Sequence, residues 1–418
     1  MVSYPRLGDL NTRPNLVIVM SIKWLSELRS RARELAQKIP YQQIKDSPSV
    51  KYYTDWSSFE RCVEPSLGVI NDSLTINLPI ELNVVSINGN IGAINTPGDV
   101  NVIPLEKLSD ELGKLILRSI DISESRALAR HAANLIGGAY IEINNDLSKP
   151  LKIGITTTTK NPVLLPTHYT ILVNDNIKAS LSLFMLGAGG CPSTTVEVYL
   201  GKGSRLNILT VGTHEQVPSY ALIKVVTGDD TEVNTRTLLV GGAMNHHRED
   251  YVLQGRNSSV NHLGLEVGYG ASRIDYQVNI MHTGERGTSY SRVLGIARDK
   301  SFVIHRALGR ITNSARWSDT NVEGKVFIMS EGAYAASVPI IMVDTGDVNG
   351  ARHSAADASP DEDQVNYLRL RGIGSDEVTD LIIHEMISQF IESLPAEYST
   401  DAETLRSLIM SRILTKPQ

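Results

Sequence analysis

The stretch GKGSRLNILTVGTHEQVPSYALIKVVTGDDTEVNTRTLLVGGAMNHHREDYVLQGRNSSVN, residues 201–261, contains three turns that recur at one spacing. The turns begin 27 residues apart, at Gly201, Gly228 and Gly255. An asparagine follows each turn in the same register, at Asn207, Asn234 and Asn261. Each unit contains strand and turn patterns without a helix, and a fixed period of this size indicates stacked units. We therefore predict a mainly β fold, a right-handed parallel β-helix with coils of about 27 residues.

Strand patterns surround the repeat and extend it in both directions. The segment ASRIDYQVNI, residues 271–280, alternates apolar and polar side chains with the period of two that is typical of a strand. Further strand patterns are SLSLFML at 180–186, TTVEVYL at 194–200 and KVFIM at 325–329. We predict that residues 139–358 form the β-helix and that the three asparagines stack as a hydrogen-bonded ladder.

Helical patterns flank the predicted β-helix on both sides. Residues 21–40 place Leu25, Leu28, Ala32 and Leu35 on one helical face, and a second helical patch covers about 104–137. We predict a helical region over 21–138, preceded by a disordered leader at 1–20 or by a start codon assigned too early. After a capping pattern at 359–362, residues 359–418 are expected to form a helical domain that covers the open end of the coils.

Composition excludes several classes of protein. The 418 residues carry a net charge of −6 without a basic run, which disfavours nucleic-acid binding. No apolar stretch approaches about 18 residues, so we predict no membrane span. The two cysteines, Cys62 and Cys191, are too few for a disulfide framework. We interpret this count as a cytoplasmic, reducing location, with Cys191 as an inert buried side chain.

Signatures of catalytic sites are missing from the sequence. GAGG at 187–190 precedes strand residues and is interpreted as a turn, and MNHHRED at 244–250 as a polar loop. Within that segment His246 and His247 would point to opposite faces of a strand and could not share a metal. His384 lacks the second histidine of a metalloprotease motif and is expected on a helix surface. We predict no enzyme activity, with a polysaccharide-acting β-helix enzyme and a metal-free interaction protein as alternatives.

One segment near the C-terminus carries a family resemblance. ARHSAADASPDEDQVNYLRLRGI, residues 351–373, resembles the SufB/SufD family of the SUF iron–sulfur cluster assembly complex. The supporting segments are KWLSELRSRARELAQKIP at 23–40, HAANLIGGAYIEINNDLSKPLKI at 131–153 and ALGRITNSARWSDTNVEGKVFIMSEGAYAASVPII at 307–341. The resemblance covers roughly residues 21–418 and implies the same order of helices, right-handed parallel β-helix and helices.

The family resemblance also implies a function. It implies a scaffold that pairs with a second SufB/SufD-type chain through the C-terminal end of the β-helix, as a homodimer or a heterodimer. It implies that a SufC-type ATPase binds the C-terminal helices, and that sulfur-donor proteins act indirectly. A transient cluster is expected at the subunit interface, with no cofactor bound stably by this chain alone. The expected docking region includes Asp361, Tyr367, Leu368, Arg371, Val378 and Met386.

The same resemblance nominates residues for binding iron. His353 matches the family's histidine and is a candidate metal ligand, with Asp344 as a second candidate. Ala351 stands where related chains have a cysteine, and Ser354 stands where some have a glutamate. The chain therefore resembles a SufD-type or divergent member that relies on a partner for thiolates.

Overall fold

A computed structural model describes residues 22–43, 46, 52–65, 80–97, 100–214, 217–359 and 362–413. The leader predicted at 1–20 and the capping residues at 360–361 lie outside the described residues. The helices within these ranges are α1 (Lys23–Lys38), α2 (Ser57–Glu60), α3 (Asp110–Gly113), α4 (Arg126–Ala133), α5 (Glu362–Leu370), α6 (Ser375–Glu392) and α7 (Ser399–Ile413).

The strands occupy most of the chain between α2 and α5. They are β1 (Val84–Ile87), β2 (Asn90–Ile94), β3 (Val100–Pro104), β4 (Gly137–Ile143), β5 (Leu151–Thr157), β6 (Leu164–Val173), β7 (Lys178–Gly187), β8 (Cys191–Leu200), β9 (Arg205–His214), β10 (Pro218–Thr227), β11 (Glu232–Val240), β12 (Met244–Leu253), β13 (Ser259–Gly268), β14 (Arg273–His282), β15 (Thr288–Ala297), β16 (Phe302–Ile311), β17 (Ser318–Ile328), β18 (Tyr334–Val343) and β19 (Val348–Ala358).

The strands form two sheets because successive strands alternate between them. The odd sheet has ten strands, namely β1, β2 and the odd-numbered strands from β5 to β19; the even sheet has nine, β3 and the even-numbered strands from β4 to β18. Pairing from β4 and β5 onward is parallel. The result is a parallel β-solenoid of about eight turns with about 29 residues per turn, which confirms the predicted β-helix.

The coil length changes along the solenoid. Lys178 of β7 pairs with Arg205 of β9, 27 residues later, as the repeat predicts. Phe302 of β16 pairs with Tyr334 of β18, 32 residues later. The predicted period therefore holds for the first coils and underestimates the last ones.

The predicted asparagine register is confirmed. Asn234 pairs with Asn207 on one side and with Asn261 on the other. The Nδ2 group of Asn234 donates to Oδ1 of Asn207 at 3.3 Å. At one corner, each coil also contributes one residue with a φ between 56° and 69°: Asn176, Gly203, Asp230, Asn257, Arg286 and Trp317. Each of these donates its backbone N–H to a carbonyl of the next coil, which fixes the stacking of the turns.

Inward-facing apolar side chains from both sheets fill the first coils of the solenoid. Examples are Ile153, Leu183, Ile208, Val225 and Val278, all buried in one contiguous core. Each such side chain stabilises the fold by about 1.5–3 kcal/mol through burial. Because the strands are buried on both faces, helices must cover the outer faces of the two sheets.

The N-terminal region covers the outer face of the even sheet. Leu25 and Ala32 of α1 are buried with Leu128 of α4 and with Tyr220 and Met244 of the even sheet, which confirms the predicted apolar face. The region is less helical than predicted, because it also contains β1, β2 and β3. The predicted helix over 104–137 is wrong in its last residues: α4 ends at Ala133, and Gly137 and Gly138 begin β4.

A disulfide joins the N-terminal region to the β-helix. Cys62 and Cys191 are bonded, and both are buried. The burial of Cys191 was predicted, but its interpretation as an inert thiol is wrong, because it has a covalent partner 129 residues away. Among the described residues, no helix is long and apolar enough to span a bilayer.

The C-terminal helices pack on the side of the solenoid. Ile387 and Phe390 of α6 and Leu405 of α7 are buried with outward-facing residues of β7 to β15, such as Leu238 and Leu265. The expectation that these helices cover the open end of the coils is therefore wrong. The apolar face of α6 binds the outer face of the odd sheet instead, where a continuous apolar surface is available.

Candidate functional site

The C-terminal end of the solenoid ends in two exposed strands. Within the described part of the chain, β18 pairs along one edge with β16, and β19 pairs along one edge with β17. Large apolar side chains of β18 are exposed, namely Tyr334 (49%), Ile340 (37%), Met342 (47%) and Val343 (40%). An open strand edge with exposed apolar side chains is a site for pairing with another chain.

Backbone hydrogen bonds show which groups face the free edge of β18. The N–H groups of Tyr334 and Asp344 donate to the carbonyls of Ser301 and Ile311, toward β16. Groups alternate in direction along a strand, so the odd-numbered residues of β18 point their N–H groups at the free edge. Pro339 occupies one of these positions and has no N–H, which limits unspecific strand addition there.

The candidate ligand His353 lies in the middle of β19 and is exposed. It pairs with Val322, which is buried inside the solenoid, so His353 occupies an inward-facing position of the final coil. No further coil covers it within the described residues. The predicted histidine is therefore placed at the open end, where a partner chain could reach its imidazole.

The second candidate, Asp344, follows β18 directly and contacts Arg310. Nη2 of Arg310 lies 2.8 Å from Oδ2 of Asp344, so the carboxylate already has a cationic partner. His353 lies five residues beyond Val348, about 17 Å along an extended strand. The structure does not bring Asp344 and His353 together, and no group of three His, Cys, Asp or Glu side chains suited to a metal occurs among the described residues.

The predicted docking residues divide into exposed and buried sets. Tyr367 is 56% exposed, and its ring and hydroxyl contact Arg371. Leu368 is partly buried, whereas Val378 and Met386 are buried against the rest of the chain and do not reach the surface. Asp361 lies outside the described residues.

Two further apolar side chains on these helices are exposed and were not predicted as contacts. Leu370 is 87% exposed and Leu381 is 51% exposed. Both lie on the side of the helical domain that does not pack on the odd sheet. The sequence signal for them is present, because each is an apolar residue outside the buried face of its helix.

The segment 244–250 forms β12 and is not the predicted loop. As predicted for a strand, His246 and His247 face opposite sides. His246 lies between the N-terminal region and the even sheet, where burial lowers its pKa. His247 lies inside the solenoid, 3.0 Å from Glu249. Burial would raise the pKa of Glu249, but hydrogen bonds from His247 and from a further buried histidine hold it well below its usual range.

The other histidine predictions need no correction. His384 is exposed on α6, as expected for a helix-surface residue. The GAGG segment at 187–190 forms the turn between β7 and β8, as predicted.

A family model described as SUF system FeS cluster assembly, SufBD core domain, matches residues 155–386. This range includes most of the solenoid, the open end and part of α6, and it is more than half of the chain. The chain belongs to the SufBD family. Its SufBD core therefore has a role in SUF iron–sulfur cluster assembly.

Relatives of this SufBD chain have names consistent with that role. The iron-sulfur cluster assembly protein SufD of Bacillus subtilis is 24% identical over 90% of the chain and 91% of its own length. An iron-sulfur cluster assembly SufBD family protein of Pyrococcus horikoshii is 22% identical over 74% of the chain and 71% of its own length. One from Staphylococcus saprophyticus is 19% identical, over 68% of the chain and 63% of its own length.

Proposed function

We propose that this protein is a non-catalytic scaffold subunit of SUF iron–sulfur cluster assembly. In this proposal the open end of the solenoid pairs with a second SufB/SufD-type chain, and the C-terminal helices bind a SufC-type ATPase. The single observation that carries it is the pair of free strand edges at the open end, beside exposed apolar side chains. The names of the relatives as assembly proteins support a scaffold over the alternative of a polysaccharide-acting enzyme.

The pairing surface consists of β18 and β19. Unpaired N–H and C=O groups gain hydrogen bonds when a partner strand is added, and the exposed side chains Ile340 and Met342 lose contact with water. A homodimer and a heterodimer both satisfy this geometry. In either case the partner must supply any thiolate at the interface, since both cysteines of this chain are joined to each other.

The ATPase-binding surface consists of the exposed residues of α5 and α6. Tyr367, Leu370, Arg371 and Leu381 supply aromatic, apolar and cationic side chains that typically contribute strongly to protein interfaces. The helices themselves are anchored by the buried residues beneath them, so the surface is held in place by the solenoid. Such a docking site would transmit motion of an ATPase to the coils. The cytoplasm, where ATP is available, is the proposed location.

The proposed iron ligand at the interface is His353. A neutral imidazole suits iron, and its exposed position at the open end would allow ligands from a partner chain to complete a transient cluster. Asp344 is a weaker candidate, because binding iron would require its carboxylate to leave Arg310. Sulfur-donor proteins would act on the partner, and not directly on this chain.

Two variants test the two surfaces and serve as controls for each other. Met342→Asp should abolish pairing with the second chain in size-exclusion chromatography with light scattering, while retaining the ATPase in a pull-down assay. The double variant Leu370→Asp, Leu381→Asp should show the reverse. Retention of pairing by Met342→Asp would contradict the assigned pairing surface, and retention of the ATPase by the double variant would contradict the docking surface.

His353→Ala tests the iron role separately from assembly. The variant should pair normally, because the side chain is exposed, but should lower the yield of cluster in the assembled complex, measured by anaerobic absorption spectra. An unchanged cluster yield would support the alternative of a metal-free interaction protein.

A further inference from the structure

Three side chains form a hydrogen-bonded chain that leads from the solenoid interior to its open end. Oε1 of Glu266 lies 2.6 Å from Nδ1 of His305, and Nε2 of His305 lies 2.7 Å from Oγ of Ser337. Glu266 and His305 are buried, and Ser337 is partly exposed. With Nδ1–H donating to the carboxyl group, Nε2 is left as the acceptor for the serine hydroxyl.

The fold brings these residues together from three coils. Glu266 belongs to β13, His305 to β16 and Ser337 to β18, and all three face inward. Gly324 of β17 faces the same point from the opposite sheet, where a Cβ atom would overlap Oγ of Ser337 and Nε2 of His305. Glycine at this position therefore leaves space for the imidazole–hydroxyl pair.

The carboxyl group at the inner end has no other partner that competes for His305. Among the described residues, Oε2 of Glu266 has no hydrogen-bond partner. Burial raises the pKa of Glu266, and the contact with His305 opposes this effect. The carboxyl group therefore depends on His305 for its polar contact, which fixes the orientation of the ring.

The serine at the outer end also has a backbone donor beside it. Ser337 is an odd-numbered residue of β18, so its own N–H group points to the free edge of the strand. In serine nucleophiles, the N–H group of the same residue stabilises the negative charge that develops on the attacked carbonyl oxygen.

We propose that Ser337 is a nucleophilic serine that accepts an acyl group from an ester or thioester, with His305 as its general base and Glu266 as a positioning residue. The Oγ atom forms a bond to the acyl carbon, and the bond from that carbon to the leaving oxygen or sulfur breaks. The serine proton moves to Nε2 of His305 and then to the leaving alkoxide or thiolate. The product is an acyl-serine, a modification that goes beyond the scaffold function and does not rest on it.

A second acid–histidine–serine chain inside the solenoid offers a matched control. His262 lies 3.0 Å from Oγ of Ser291 and 3.4 Å from Glu249. Ser291 is fully buried, so the same chemical groups lack access to a reagent. Comparison of Ser291 with Ser337 therefore separates an accessible nucleophile from a buried structural contact.

The test uses the full-length protein and a biotinylated fluorophosphonate. We expect labelling at Ser337, found by peptide mapping, with loss of fluoride and no labelling at Ser291. Ser337→Ala should abolish the label, and His305→Gln should lower the labelling rate by about 100-fold or more. Glu266→Gln should also lower the rate, and Glu266→Asp should restore part of it, with circular dichroism unchanged in all variants. Ser291→Ala should label as the wild type does.

The acyl step has its own assay with p-nitrophenyl acetate. The wild type should release a burst of about one equivalent of p-nitrophenolate per chain, and Ser337→Ala should show no burst. Absence of the label at Ser337 in the wild type would overturn the proposal whether or not any variant folds. An equal labelling rate in His305→Gln or Glu266→Gln would overturn the assigned roles, and absence of the burst would overturn the acyl substrate class.

Discussion

Replacement of Glu197 by glutamine should destabilise the protein at neutral pH. Glu197 lies in β8 beneath the N-terminal region and is fully buried. Its carboxylate accepts hydrogen bonds from the backbone N–H and the hydroxyl of Ser119, both at 2.6 Å, and lies 3.3 Å from Nε2 of His168. Burial would raise the pKa of Glu197, but His168 and Ser119 lower it to about 2.

The size of the effect follows from this pKa. A fall from 4.5 to about 2 corresponds to about 3 kcal/mol of stability, since each pKa unit represents about 1.4 kcal/mol. Because the pKa is lower in the folded chain, this stability is present above pH 4.5 and is lost as the pH falls toward 2. Glutamine cannot ionise, so the difference between Glu197→Gln and the wild type should be about 3 kcal/mol smaller at low pH than at pH 7.

Urea denaturation, followed by circular dichroism at pH 7, 5, 4 and 3, measures this difference. Glu403→Gln is the matched control, because the Glu403 side chain is 84% exposed and should change stability by less than about 0.5 kcal/mol. A destabilisation by Glu197→Gln that stays the same at every pH would refute the assignment of the effect to the buried charge.

Other contacts between distant parts of the chain give three more predictions. Replacing both Cys62 and Cys191 by serine should lower the free energy of unfolding by about 5 kcal/mol, because the disulfide closes a loop across 129 residues; thiol titration with and without reductant and urea denaturation measure this. Asn234→Ala should cost about 1 kcal/mol in thermal unfolding by removing its bond to the preceding coil. Phe390→Ala should cost about 3–5 kcal/mol by leaving a cavity between α6 and the odd sheet.

Each of these has an outcome that would contradict it. Two free thiols in the untreated protein would contradict the disulfide. A melting temperature of Asn234→Ala equal to that of the wild type would show that the ladder contributes no stability. The same result for Phe390→Ala would contradict the packing of α6 on the side of the solenoid.

The sequence predicts the solenoid well because its signal is repeated. Asn207, Asn234 and Asn261 stand in one register, and their coils have the predicted length. The same period, applied to β10 at Pro218, would place a strand at about residue 245, where β12 is found. The polar residues of that segment obscured the repeat, because buried histidines and acids that satisfy each other look like a loop in composition.

The placement of the elements outside the solenoid is harder to predict. The apolar face of α6 shows that the helix packs on something, but the pattern is equally compatible with the open end and with the side of the coils. The spacing of Cys62 and Cys191 carries no information about their distance in space. One signal was overlooked: Asn88 and Gly89, which join β1 and β2 with positive φ at both residues, are typical of a two-residue hairpin turn.

The candidate site could be predicted only in part. His353 is placed at the open end as the resemblance implies, whereas Val378 and Met386 are buried because a helical pattern does not distinguish an intramolecular face from an intermolecular one. The chain from Glu266 to Ser337 joins three strands of different coils, and its members are not adjacent in the sequence. Such a cluster depends on register between coils of unequal length, which the repeat alone does not provide.

The lateral position of the C-terminal helices also has a dynamic consequence. α6 and α7 support the coils from β7 to β15, and the N-terminal region supports the even sheet as far as β12, so the coil of β18 and β19 is held by its single preceding neighbour. In a stack whose units contact nearest neighbours alone, an end unit opens at the lowest cost in free energy. Amide hydrogen exchange should therefore be fastest in β18 and β19 and slow down coil by coil toward the middle, which makes the end of the solenoid the part of the molecule that fluctuates first.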